Sequence, residues 1–374
     1  MMPGRVPARL RTGALRIVRA TRPLTDRWRE EPVASRGPTL LGISFRPRQA
    51  EALGLDPEAT LRTLLAYPFD LVRLGAYWDR VEPAPGRFVP DELDRELEAA
   101  ERAGKRIILC VGAVKTFGYP ECFVPVHQLK TRMREGALVT PRSHPALFGA
   151  AVAFVTRVVE RYRDRASILA WQVEHEAADP LGMEHSWRLA EAFARAEVDA
   201  VRAADPTRPI MMNGFLPTSL PVAAQQWWRT RDQGDSLEVA RRLADIVGIG
   251  YYPRHALLRA GSRTVYLDGG LRGRRAQGLR AWAKAAGRGL MITEGQAEPW
   301  EVATTPPSPA AGTAMYSCPP ERVIQNYREC LEWARLGGVP LYAYLFWGAE
   351  YWVSRAQRGD PSYLRAFARV LDEA

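Results

Sequence analysis

The sequence predicts an α/β protein, a single-domain (β/α)8 TIM barrel carrying a basic N-terminal extension. Strand-like runs alternate with amphipathic helical patterns eight times within about 335 residues, which fits a closed barrel better than an open doubly wound sheet. The runs are short and apolar without strict polar alternation, as a parallel sheet buried on both faces requires. Nucleotide fingerprints of the open alternative are missing. GISFRPRQ, at the end of the first run, has no glycine signature, and no GxxxxGKS/T occurs. Residues 37–374 are therefore assigned to the barrel and residues 1–36 to the extension.

The expected strands are LLGISF (40–45), FDLVRLGAYW (69–78), RIILCVGAV (106–114), ILAWQVEHE (168–176), PIMMNGF (209–215), DIVGIGYY (245–252), LMITEG (290–295) and PLYAYLFWG (340–348). Between them, PEATLRTLLAY starts after Asp56 and DELDRELEAAERAG after Pro90, each with an acidic first turn suited to the helix dipole. Gly104 is a stop signal for the second of these helices. ALFGAAVAFVTRVVERY and SWRLAEAFARAEVDAVRAA supply later helices, and LRGRRAQGLRAWAK (271–284) reads as a solvated helix face. Two connections are long, residues 115–143 after strand three and 297–319 after strand seven. Loops that follow strand C-termini form the functional face of such a barrel.

Charge and composition narrow the function further. The net charge is +10, but residues 1–30 hold eight arginines against Asp26 and Glu30, so +6 of it sits there. A nearly neutral body argues against a nucleic-acid partner. No apolar run reaches transmembrane length, and the N-terminus lacks a signal-peptide core. ALRIVRATRPLTDRWRE (14–30) is expected to be a disordered or loosely docked tail rather than a basic helix lying on anionic lipid. Cys110, Cys122, Cys318 and Cys330 form no CxxC pair, no zinc spacing and no disulfide scaffold, and the expected location is cytoplasmic. His127, His144, His185 and His255 sit in separate loops without HExxH or facial-triad spacing, so neither a metal nor a cofactor is expected. Oligomeric state is left open.

In a barrel, the strand ends converge on one bowl. They bring Arg73, Trp78, His175, Glu176, Asn213, Tyr251, Tyr252, Glu294, Gln296 and Trp347. An ionised carboxylate is costly to desolvate, so glutamates at the ends of apolar strands four and seven need a purpose. Two carboxyls facing across a bowl suit glycoside hydrolysis on a carbohydrate substrate, one protonating the leaving oxygen while the other attacks or activates water.

WQVEHEA and MITEGQAEPW resemble the strand-four and strand-seven motifs of the retaining glycoside hydrolases of clan A, the (β/α)8 superfamily of β-galactosidases, β-glucosidases, cellulases and mannanases. The likeness spans roughly residues 38–374. It implies a retaining β-glycoside hydrolase with Glu176 as acid/base and Glu294 as nucleophile. It further implies that Arg73 and Tyr252 steady the nucleophile and that Trp347 floors the sugar subsite. Asn213 and Gln296 are added as candidate substrate contacts from their places at strand ends.

Position 175 departs from the clan, which usually has an asparagine that contacts the sugar 2-hydroxyl. Simple alternation along a strand would also put His175 on the face opposite Glu174 and Glu176, so His175 reaches substrate only if the strand ends or bulges there. Glu174, one pleat deeper, is expected to be the structural partner of a barrel arginine. Two alternatives stay open: transglycosylation through the same glutamates, and a carbohydrate-binding barrel without turnover, to which His175 alone lends support.

Overall fold

The computed structural model describes residues 14–118, 122–129, 133–180, 187–261, 263–301 and 309–374. Residues 1–13 of the extension, His185 and parts of both long connections lie outside them. Eight strands close into a parallel barrel: β1 (Leu40–Ser44), β2 (Leu71–Gly75), β3 (Arg106–Cys110), β4 (Ile168–Gln172), β5 (Ile210–Phe215), β6 (Ile246–Tyr251), β7 (Gly289–Gln296) and β8 (Leu341–Trp347). Each pairs with its sequence neighbours, and β8 returns to β1, with Trp347 opposite Ser44. All eight predicted strands are present, and most are shorter than the apolar runs suggest, because the flanking residues belong to the functional loops.

Around the strands lie α1 (Pro57–Leu65), α2 (Asp91–Arg102), α3 (Pro145–Tyr162), α4 (Glu191–Ala204), α5 (Ser236–Leu243), α6 (Arg274–Ala286), α7 (Pro320–Leu336) and α8 (Ser362–Glu373). Asp56 caps α1 by accepting from Ala59 N at 2.7 Å, and α2 starts on Asp91, Glu92 and Asp94. Within the predicted solvated face, α6 turns Ala276, Leu279 and Ala283 inward. Burial is layered. Leu71, Ile108, Ala170, Met211, Ile246, Met291, Ala343 and Leu345 fill the barrel interior, and the larger core lies between strands and helices. Among the described residues no helix is long and apolar enough to cross a membrane.

The N-terminal segment differs from expectation. Ala14–Arg19 is a strand, neither tail nor helix, and pairs antiparallel with Arg263–Asp268, itself hairpinned to Arg254–Ala260 after β6. Thr21–Pro23 pairs with Thr313–Met315. Arg16 reaches Asp268 at 2.8 Å, Arg22 pairs with Glu321, and Trp28 is buried. Arg16 and Arg22 therefore serve as ion-pair partners, and a sequence window cannot show this because their carboxylates lie about 250 or more residues away.

Candidate active site

Strand β4 ends at Gln172, and the chain then makes an unusual turn. Glu174 and Glu176 have φ of +55° and +47°, left-handed backbone that costs non-glycine residues about 1–3 kcal/mol each. Surrounding contacts hold it in place. Glu174 accepts hydrogen bonds from Val114 N (2.9 Å) and Lys115 N (2.5 Å), and His175 N donates to Lys115 O (2.6 Å). Gly112 permits this approach, since a Cβ there would drive into the Glu174 backbone. Two left-handed residues break strand alternation, so His175 and Glu176 both face the bowl. The expected arginine partner of Glu174 is replaced by two backbone amides and the carboxyl of Glu197.

Glu294 sits where β7 carries an extra residue: Ile249 pairs with Ile292, but the next residue, Gly250, pairs with Glu294. Such a bulge re-aims a side chain at a barrel rim. Three donors meet the buried carboxylate. Arg73 Nη1 (3.1 Å) and Asn213 Nδ2 (3.2 Å) donate to Oε1, and the Tyr252 hydroxyl donates to Oε2 (2.8 Å). Burial alone would raise its pKa, but the Arg73 guanidinium and the Tyr252 hydroxyl outweigh it and hold Glu294 below the usual carboxylate value. Burial, with help from the Arg73 charge, pushes His175 down to about 3 despite the nearby Glu294 carboxylate. Its ring is therefore neutral, and Arg73 is the standing cation of the site. Arg73 (3.3 Å), Asn213 (3.1 Å) and Glu294 Oε1 (3.2 Å) all lie within hydrogen-bond reach of His175 Nδ1.

Glu176 faces Glu294 across β6. One donor atom each from His175, Glu176 and Glu294 lie within 4.8 Å of one another, and Gly250 has no side chain to intrude between the carboxyls. Such spacing suits a cation, but Arg73 already lies against both Glu294 and His175 Nδ1, and a metal there would face that charge. Trp347 lies parallel to His175 (ring centroids 6.5 Å, 5° between planes). Phe117, Phe215, Tyr252 and Trp300 line the same rim.

Of the predicted set, Arg73, His175, Glu176, Asn213, Tyr252 and Glu294 form one hydrogen-bonded cluster, with Trp347 against it. Gln296 stands apart, its Nε2 bonded to Glu298 O at 3.3 Å. Trp78 leaves the bowl altogether and stacks on Phe154 in the core, and Tyr251 is fully buried away from Glu294. Sequence reasoning missed Gln172, which accepts from Arg73 Nε at 2.6 Å and donates to Asn213 Oδ1 at 3.1 Å. Phe117 on the Arg73 guanidinium (4.0 Å) and Arg46 over Trp347 (4.2 Å) were missed as well. Arg46 was legible in principle, because it follows the end of strand one in GISFR.

Residues 58–196 match the family model described as Glyco_hydro_42, β-galactosidase; this segment holds Arg73, His175 and Glu176 but not Glu294. No curated protein matches the chain. Among solved structures, GH5_18 of Streptomyces cattleya, in complex with GlcNAc, is 15% identical with a TM-score of 0.53, covering 91% of this chain and 80% of that one. The intracellular xylanase of Thermoanaerobacterium saccharolyticum is 13% identical with a TM-score of 0.51, covering 83% and 86%. The β-galactosidase of Bacillus circulans sp. alkalophilus is 13% identical with a TM-score of 0.53, covering 89% of this chain and 55% of that one. At such identities the structures speak for the fold alone, a (β/α)8 barrel, and the family-model match over residues 58–196 supports a glycosidase.

Proposed function

We propose that the protein is a retaining β-glycosidase working by double displacement. The observation that carries this is the close approach of Glu176 and Glu294, whose carboxyl oxygens lie within 4.8 Å. Retaining enzymes hold these groups about 5–5.5 Å apart, whereas inverting ones leave about 6.5–9.5 Å for water. Glu294, ionised and held by Arg73, Asn213 and Tyr252, attacks the anomeric carbon. Glu176 protonates the departing oxygen and then takes a proton from the incoming water. Trp347 offers a broad apolar face to the sugar, and His175 and Asn213 are assigned to its hydroxyls. A barrel that merely bound sugar would have no use for a carboxylate stripped of water and charge-compensated in this way.

β-Galactosides are the first substrates to test, given the family model. Residues 1–36 are assigned outside the catalytic barrel. Cys110, Cys318 and Cys330 are buried thiols, which suit a reducing compartment, and a cytoplasmic location is proposed on that chemistry. The deciding experiment is trapping with 2-fluoro aryl glycosides followed by peptide mass mapping. An adduct on Glu294 is expected. Steady turnover of ordinary aryl glycosides with inverted product would refute the mechanism.

A further inference from the structure

Behind the acid/base turn lies a second carboxyl pair that double displacement does not use. Glu174 and Glu197, the latter on α4, are both buried and hydrogen-bond through their side chains. Three consecutive amides after β3 face them. Ala113 N donates to Glu197 Oε1 (3.3 Å), Val114 N to Glu174 Oε1 (2.9 Å) and Lys115 N to Glu174 Oε2 (2.5 Å). Both oxygens of Glu174 therefore receive a donor, while Glu197 Oε2 receives no N–H or hydroxyl.

Ionised carboxyls only accept, so a hydrogen bond between two of them requires a proton. Two adjacent buried carboxylates cannot both stay charged. Donor count decides the location: Glu174 is the carboxylate, and Glu197 carries the proton on Oε2. Among the described residues, the titratable neighbours agree with a single negative charge. Lys115 after β3 faces Glu174, while its Nζ binds Glu176 O (2.8 Å) and Asp179 O (2.7 Å). Cys110, ending β3, is a neutral thiol pushed up to about 12 mainly by burial, and His175 in the turn is neutral. α4 otherwise buries Phe193, Ala194, Val198 and Val201.

We propose that Glu174 and Glu197 share one proton and that this pair is a positioning device. It pins the left-handed 174–176 turn to the segment after β3 and so aims Glu176 and His175. Its consequence for rate rests on the glycosidase reading, but the shared proton does not. As pH rises, the pair loses its proton, the two charges repel, and the turn loosens.

The test uses full-length Glu197→Gln and Glu197→Ala. In Glu197→Gln, Nε2 replaces the O–H donor and Oε1 keeps the Ala113 amide. Infrared spectra recorded in a Glu176→Gln background, which removes the acid's own signal, should show the carbonyl stretch of a buried protonated carboxyl. Adding Glu197→Gln should remove the contribution of this pair, read as a loss of carbonyl intensity in the difference spectrum, while buried Glu96 keeps its own band. On an activated aryl glycoside, Glu197→Gln alone should keep a rate close to wild type and extend activity to higher pH. Glu197→Ala should lose about a hundredfold in kcat through a misplaced acid. The proposal is overturned if the difference spectrum shows no loss of carbonyl intensity on Glu197→Gln, or if Glu197→Gln is as damaged as Glu197→Ala with an unshifted pH profile. Should Glu197→Ala fail to fold, the Gln variant and the infrared arm still decide. Should the protein cleave no glycoside, the infrared arm alone reads the pair.

Discussion

Replacing Arg73 by methionine keeps most of the side-chain volume under Phe117 and removes the standing cation paired with Glu294. Arg73 and Glu294 are 0% and 2% exposed in their side chains, so solvent cannot take over. Breaking a buried ion pair by deleting one partner costs about 3–5 kcal/mol. Glu294 can limit that cost by holding its proton to higher pH, and at 1.36 kcal/mol per unit the full cost equals about 2–4 units. Relief comes from His175, because the Arg73 charge is one cause of its neutrality, and a proton on His175 would restore part of the attraction. Discounting by about half leaves an upward move of about 1–2 pH units in the acid limb of kcat/KM, which reports the free enzyme. At pH values on that limb the rate falls about 10–100-fold, recovering as pH rises. The assay is a pH–rate profile on an aryl glycoside with an activated leaving group, so that Glu176 is not limiting. Arg73→Met combined with His175→Gln removes the relief and should widen the shift. An acid limb that stays in place while the rate drops uniformly would show that Arg73 acts only through geometry.

Glu176→Gln should lose about 10²–10⁴-fold on alkyl glycosides, as expected for a general acid, and far less on activated aryl glycosides. Equal losses on both would remove Glu176 from that role. His175 is depressed from 6.5 to about 3, so the unfolded chain binds its proton first and wild-type stability falls as pH drops below 6.5. His175→Asn should abolish that term, and between pH 7 and pH 5 urea unfolding should show the variant gaining about 2 kcal/mol relative to wild type. Glu96 shifts the other way, raised from 4.5 to about 8 by burial and then by Glu92, so its cost grows as pH climbs between those values. Glu96→Gln should therefore stabilise the fold by up to about 3 kcal/mol at pH 7 and by little at pH 4, as thermal or urea unfolding at the two pH values would reveal.

Local pattern alone determined the barrel, the order of its strands and the strand ends that carry Arg73, Asn213, Tyr252, Glu294 and Trp347. Those features are written in short-range periodicity, in caps such as Asp56 and in the parallel topology that gathers strand C-termini at one rim. Tertiary contact decided the rest. Alternation along WQVEHE points His175 away from the bowl, and only the grip of the 113–115 amides on Glu174, with Gly112 opening the approach, forces the left-handed turn that reverses it. Glu294 is aimed by a bulge that appears only when β7 pairs with its neighbours β6 and β8. The N-terminal arginines became strand and ion-pair residues because Asp268 and Glu321, far along the chain, stand beside them. Glu197 reads in sequence as an ordinary amphipathic-helix glutamate, and its meaning arises only where burial sets it against Glu174. A residue's secondary structure depends on its near neighbours. Its protonation, handedness and aim depend on what the fold brings to it.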